Sequence, residues 1–341
     1  MNATMVKVLL GPLVAIGLLL SIQGCDTTAS ATASVTGPTP AAAMRVFNSY
    51  VTAEKVALAS HDETLALSLA TGAEYSLVTA SFSIAARSGQ AVPAAAYGRP
   101  TLYVPRQTTY PQWFAAVAPE HPAAGGPSRT AVLIFERAKA GSAWALSGSV
   151  LLGRGAPALK VATSGSGYAS AVATSDQALK VRPDVVGAMH ATIVDDGPTS
   201  EAATAVAAGP QTTGLYSANS TAARQAAALH ESYRWQMDGT SYPEFALRTT
   251  DGGALVFYTM YLNTTTETTS KPSAHSKAPL PTIPVPAAYQ ALLKANQPPL
   301  HHQLTADQTL QFVALDPPGT AQAAKIQVIG AGGGPAYAHG Y

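Results

Sequence analysis

Apolar positions after residue 40 first recur with a helical period. Met44, Phe47, Tyr50 and Val51 keep the i, i+3, i+4, i+7 spacing of one helix face across residues 41–88. His61-Asp62-Glu63 opens a second short helix, with acids where the helix dipole favours them. That helix ends at Gly72, and a third over residues 75–86 carries Leu77, Val78, Phe82 and Ile84 before Gly89. The pattern then changes to strands: TLYV at 101–104, QWFAAVA at 112–118, TAVLIFE at 130–136 and AWALSGSVLL at 143–152. The same order returns. Residues 183–194, 200–207 and 222–231 read as helices. Strands follow at 233–237, 243–249 and 254–262, with Asp251-Gly252-Gly253 as a hairpin turn, and a late pair at 310–315 and 325–329.

The halves also share spelling. Tyr110-Pro111-Gln112-Trp113-Phe114-Ala115 parallels Tyr242-Pro243-Glu244-Phe245-Ala246, and the stretch from Ala70 echoes that from Ala207. Blocks of helices then strands argue against a wound βαβ fold. The expected class is α+β: two duplicated units, each with helices followed by a bent, cone-like antiparallel sheet. Such units resemble nuclear-transport-factor-two-like or cystatin-like domains, a likeness of fold that assigns no function. The expected divisions are a leader at 1–24, a flexible tether at 25–40, a first domain at 41–157 and a second at 158–341. The second carries an exposed Thr/Pro-rich loop near 264–286.

The leader changes the picture most. Lys7 precedes thirteen residues, 8–20, interrupted only by Gly and Pro, a run that fits a secretory signal and is shorter than the roughly 20 residues of a spanning helix. The chain's one cysteine, Cys25, follows in LLLSIQGC, with Ile22 three places before it and Gly24 directly before it. This resembles a bacterial lipoprotein signal. The resemblance implies cleavage between Gly24 and Cys25 and a diacylglyceryl group on the Cys25 sulfur, anchoring the chain to the extracytoplasmic face of the cell membrane. Two acyl chains at about 0.8 kcal/mol per CH₂ make such an anchor stable where one would be marginal. Ordinary release stays open, because Ala29-Ser30-Ala31 and Ala31-Thr32-Ala33 are both export cleavage patterns. Residues 26–40, small, polar and holding two prolines, read as a tether with a reach of roughly 20 Å. Taken whole, the chain resembles an uncharacterised family of actinobacterial lipoproteins. The likeness rests on the exported cysteine, the helix-Gly-helix stretch near Gly72 and the Tyr-Pro-Gln-Trp-Phe run, and it implies no known activity.

Composition narrows the chemistry. Charged residues make up 11% of the chain, against about 25% in soluble domains. Without the leader and its Lys7, basic and acidic side chains balance, which lacks the footprint of nucleic-acid binding. A lone cysteine excludes an intrachain disulfide and a cysteine-based metal site. Among the eight histidines only His301 and His302 adjoin, and neighbours on a strand point to opposite sides. His190 reads as a satisfied, partly buried histidine, with a catalytic role as the alternative, and Asp195-Asp196-Gly197 as a helix end and turn, with weak cation binding by its carboxylates as the alternative. Neither G-x-S-x-G nor S-x-x-K with its partners occurs, Ser164-Gly165-Ser166-Gly167 reads as a turn, and the tail Gly330-Ala331-Gly332-Gly333-Gly334 as a flexible terminus. No cofactor is expected. Tyr103, Trp113, Trp144, Trp235, Tyr258 and Tyr261 lie on expected strands and are candidates for a ligand pocket, with core filling as the alternative. The function expected is a non-catalytic lipoprotein binding a protein partner or envelope ligand. The alternative is a hydrolase acting on cell-wall or lipid material. A pocket lined by perturbed polar groups would favour the hydrolase.

Overall fold

The structure is a computed structural model and describes residues 36–269 and 281–341. Cys25, the leader, most of the expected tether and the centre of the Thr/Pro-rich loop lie outside the described residues.

Three helices open the body. The first, α1 (Pro40–Ser60), is capped by Thr39, whose Oγ1 accepts from Ala42 N at 3.1 Å, with proline at the position where a missing N–H costs nothing. It buries Ala43, Phe47, Tyr50 and Ala57, one stripe of the face. Asp62 caps α2 (Glu63–Ser68) by accepting from Leu65 N at 2.9 Å, and α3 (Gly72–Ser88) ends on left-handed Gly89. The strands β1 (Ala95–Tyr97), β2 (Thr101–Tyr103), β3 (Gln112–Pro122), β4 (Arg129–Arg137) and β5 (Ala145–Leu152) follow. Then come α4 (Pro183–Asp196), a 3₁₀ turn at Glu201–Thr204, and α5 (Thr213–Ala228). The chain closes with β6 (Glu231–Gly239), β7 (Phe245–Arg248), β8 (Ala254–Thr268), the single turn α6 (Ala287–Gln290), β9 (Gln303–Asp316) and β10 (Gln327–Gly340).

Among the described residues ten strands form one antiparallel sheet in the order β1-β3-β4-β5-β10-β9-β8-β6, with β2 beside β3 and β7 beside β8. This overturns the expectation of two duplicated units, each helices followed by its own cone-like sheet. The strands of both halves are joined where Leu151 and Leu152 of β5 pair with Ala331 and Gly330 of β10. Periodicity marks which segments are strands but not which edges meet, and a free β5 edge would be a row of unpaired N–H and C=O groups.

The glycine tail, expected to be flexible, is the middle of this sheet. A Cβ on Gly332 would stand 2.0 Å from Ser149 O, and one on Gly333, at φ +94°, 2.0 Å from Thr309 O. Only glycine permits so close an approach of backbones. Beyond these two pairs the β5–β10 ladder stops, and fully buried Gln311 of β9 takes over. Its Oε1 accepts from Ser149 N at 2.8 Å and its Nε2 donates to Ser147 O at 3.4 Å.

One face of the sheet curls over itself. The rings of Trp113 on β3 and Phe245 on β7, far apart in strand order, have centroids 4.9 Å apart. Residues 161–172 span the gap between the two margins. Ala169 N donates to Val104 O at 3.0 Å, while Val172 N donates to Ala246 O at 2.9 Å and Ser170 O accepts from Arg248 N at 2.8 Å. The enclosed core includes Ile134, Val150, Phe257 and Val313. Gly148 is required there, since a Cβ would lie 2.2 Å from Phe257 Cζ. The helices cover other sheet positions. Phe47 and Tyr50 of α1 meet Phe114, Leu133 and Phe135, while Val186, Ile193 and Val194 of α4 meet Tyr258 and Phe312. Each such buried side chain contributes roughly 1.5–3 kcal/mol.

The glycine-lined junction makes a prediction. Gly332→Ala should lower unfolding free energy by at least about 2 kcal/mol, because the clash is with fixed backbone. Gly334→Ala, which meets nothing within 4 Å, should leave it within roughly 0.5 kcal/mol. Urea denaturation of both variants checks this, and equal stabilities would mean that the tail does not form the central strand.

Candidate functional site

The most chemically loaded hollow lies between α1, α2, α3 and β5 and has a volume of about 140 Å³. Backbone contacts build it. Thr71 N donates to Leu146 O, and Leu146 N donates to Leu69 O, each at 2.8 Å, so the α2–α3 junction is tied to β5. That tie places Glu74 one turn into α3, beside Leu77, Val78, Ser81 and Phe82. From α1 come Tyr50, Glu54 and Leu58, on one face at i, i+4 and i+8.

Two carboxyls stand in this mostly apolar wall. Tyr50 Oη donates to Glu54 Oε1 at 2.6 Å. Glu74 Oε2 is buried with no hydrogen-bond partner among the described residues. Burial pushes Glu54 up to about 7, opposed by the Tyr50 hydrogen bond and helped by the charge of Glu120. Burial, with repulsion from Glu54, also pushes Glu74 up to about 7. Burial raises the Tyr50 and Tyr97 phenols far above their usual range, and the same carboxylates add to it. The wall carries no lysine or arginine. Near neutral pH the site can therefore donate hydrogen bonds from protonated carboxyls, or exchange those protons for a positive charge.

The six aromatic residues expected to form a pocket sit elsewhere. Tyr103 and Trp113 pack against the enclosed core, Tyr103 also lining a separate hollow beside Arg129 and Leu159, and Trp144 lies against Phe114, centroids 5.2 Å apart, with the Arg137 guanidinium 5.1 Å from its ring. Trp235 donates through Nε1 to Val194 O at 2.9 Å, Tyr258 is fully buried under α4, and Tyr261 faces Tyr242. None of them lines the hollow under the three helices. Cys25 lies outside the described residues.

The other residues singled out are engaged structurally. His190 is fully buried. Its Nε2 bonds Gln211 O at 2.5 Å and its Nδ1 bonds Tyr258 Oη at 2.9 Å, while burial pushes it down to about 4. It is neutral at physiological pH, so Nε2 donates and Nδ1 accepts. Asp195 accepts from Met237 N at 2.9 Å, joining the end of α4 to β6. Ser164 closes a turn, its O accepting from Gly167 N at 2.9 Å. His301 bonds Pro281 O through Nδ1 at 3.1 Å, and His302 lies near Tyr341. Among the described residues no group of three His, Cys, Asp or Glu could hold a metal ion, and no helix is long and apolar enough to cross a membrane.

The sequence reading missed Tyr50, Glu54 and Glu74. A signal was present, because Glu74 stands between Ala73 and Leu77-Val78 on an otherwise apolar face.

Fold and cavity together define a curled antiparallel-sheet protein with a small acidic cavity beneath its amino-terminal helices. The chain belongs to the family described as Domain of unknown function (DUF8094), which matches residues 36–334. It is also similar to an "Uncharacterized lipoprotein" of Streptomyces avermitilis, 31% identical over 157 residues. The match covers 46% of this chain and 44% of that relative, so the chain spans under half of the relative's length. An uncharacterised actinobacterial lipoprotein family is thus supported, whereas the nuclear-transport-factor-two-like or cystatin-like halves are not. No solved structure matches the chain.

The raised carboxyls predict how stability varies with pH. The folded value of about 7 for Glu74 lies above its ordinary 4.5, so the folded state holds the proton more tightly. The stability this contributes is fully present below about 4.5, falls as pH rises towards 7 and levels off above it. Glu54 and Asp316, also pushed up to about 7, act in the same sense. Glu74→Gln should flatten the decline between pH 5 and 8 by an amount of order 3 kcal/mol. Urea melts across that range test it, and an unaltered slope in the variant would place the carboxyl in water.

Proposed function

We propose that the chain is a lipoprotein held at the extracytoplasmic face of the cell membrane by lipid on Cys25, with a folded body that binds a ligand or envelope partner without catalysis. The observation that carries the anchor is the run LLLSIQGC behind Lys7, with Ile22 and Gly24 at the spacing a lipoprotein signal uses. The relative named as a lipoprotein supports the same reading.

The cavity bears on the choice between binder and hydrolase. Two carboxyls near neutral pKa in one hollow are the feature that favours a hydrolase, and they could serve as acid and base. The size of this hollow supports the binder. A cavity of about 140 Å³ is below the roughly 300–1,000 Å³ of ordinary ligand sites, too small for a wall polymer unit or an acyl chain with its head group. It suits recognition of one small group.

Mass spectrometry of the mature amino terminus tests the anchor. The expected peptide begins at Cys25 with the added mass of a diacylglyceryl group, and Cys25→Ser abolishes palmitate incorporation. A terminus beyond Ala31 would overturn the anchor in favour of release.

A further inference from the structure

Glu74 is a polar group that its own helix leaves unanswered. Thr71 and Glu74 have the spacing of a capping box, in which the glutamate accepts from the backbone N–H of the capping residue. Here that N–H donates to Leu146 O, and the Thr71 side chain makes no cap bond. Glu74 Oε2 is left buried and unpartnered in the wall of the cavity, among Leu69, Leu77, Val78 and Phe82. An acceptor in that position is unfavourable until a donor meets it.

We infer that the cavity beneath α1, α2 and α3 binds a small organic cation of about six heavy atoms, its ammonium group paired with Glu74 and Glu54 and its apolar body against the leucine and phenylalanine wall. A cavity of similar size, about 150 Å³, holds a benzene molecule, which sets that limit. Positive charge is the complement of two acids with no lysine or arginine beside them. The rings of Tyr50 and Phe82 are also in the wall, and aromatic faces attract cations. A metal ion fits worse. Among the described residues no three His, Cys, Asp or Glu side chains converge to hold one, and the wall supplies only two carboxyl groups.

The groups facing Glu74 set the proton balance. They are Glu54 and, through their charges or hydrogen bonds, Tyr50 on α1, Tyr97 on β1, Glu120 on β3 and Gln311 on β9. None is a cation, so a bound ammonium would favour the ionised form of both carboxyls. Binding below pH 7 releases a proton to solvent, and affinity rises with pH as that release is no longer needed. This inference rests on the reading of the body as a binding module.

Calorimetric titration of the full chain in detergent with n-pentylammonium and with 1-pentanol, which match in size and differ in charge, tests it. The ammonium should bind at least about tenfold more tightly at pH 8. At pH 6 its heat should depend on the buffer's ionisation enthalpy, as proton release requires. Glu74→Gln should bring ammonium binding down to that of the alcohol and leave the alcohol unchanged. Should that variant fail to fold, Glu54→Gln carries the same comparison. Equal binding of the two compounds, unchanged ammonium binding in the variant that folds, or no binding of either at about 10 mM overturns the inference. Any of these leaves the lipid on Cys25 and a protein partner unaffected, so failure here is distinct from failure of the anchor.

Discussion

The outer edge of β5 is the constraint on which the rest of the architecture depends. A strand edge must have partners for its N–H and C=O groups. This edge is answered in three ways in succession. Leu146 exchanges bonds with the α2–α3 junction, Ser147 and Ser149 bond the side chain of Gln311, and Leu151 and Leu152 pair with β10. Ile134 and Phe135 of β4 pair with Gly148 and Leu146, which leaves Ser147 as the extra residue of a bulge in β5. Such a bulge bends and twists a strand, which suits one whose partners change along its length.

Each of those contacts fixes something else. Pairing with β10 makes one sheet from both parts of the chain and lets its far margins approach at Trp113 and Phe245. Gln311 bridges the opening left where the β5–β10 ladder stops, which is why a fully buried amide is tolerated in an apolar region. The tie to Leu146 occupies the Thr71 N–H that Glu74 would otherwise accept from. The acidic cavity is therefore a consequence of how the helices are fastened to the sheet.

Much of the element list was legible because alternation and helical spacing are local. Phe47 and Tyr50 on α1, the QWFAAVA run of β3 and the Asp251-Gly252-Gly253 turn all follow from patterns within a few residues. Three features were not. The first turns of α5, with Gly214, Ser217, Asn219 and Ser220, look like a loop, and what holds the helix is tertiary, including Tyr233 Oη donating to Asn219 Oδ1 at 3.0 Å. Residues 330–334 have almost no side chains and hence no alternation, although they form the central strand. Pairing between β5 and β10 joins segments about 180 residues apart, which no local period encodes. The cavity was illegible for a related reason. Glu54 and Glu74 look like ordinary surface charges on two helices until the fold brings those helices together.

Scarcity of charge gives the two glutamates their weight. With 11% charged residues the surface is covered mostly by neutral polar and small side chains, so most acids could sit in water without crowding. Burying two of them near one another is costly in an apolar wall, and the desolvation that raises both to about 7 measures that cost. Packing gains nothing from it, because leucine or glutamine would fill the space in α1 and α3 with no charge to desolvate. An acid that lowers stability as pH rises, and whose Oε2 has no hydrogen-bond partner among the described residues, fits a donor brought from outside. In a body without lysine or arginine at that place, the fitting partner brings its own positive charge.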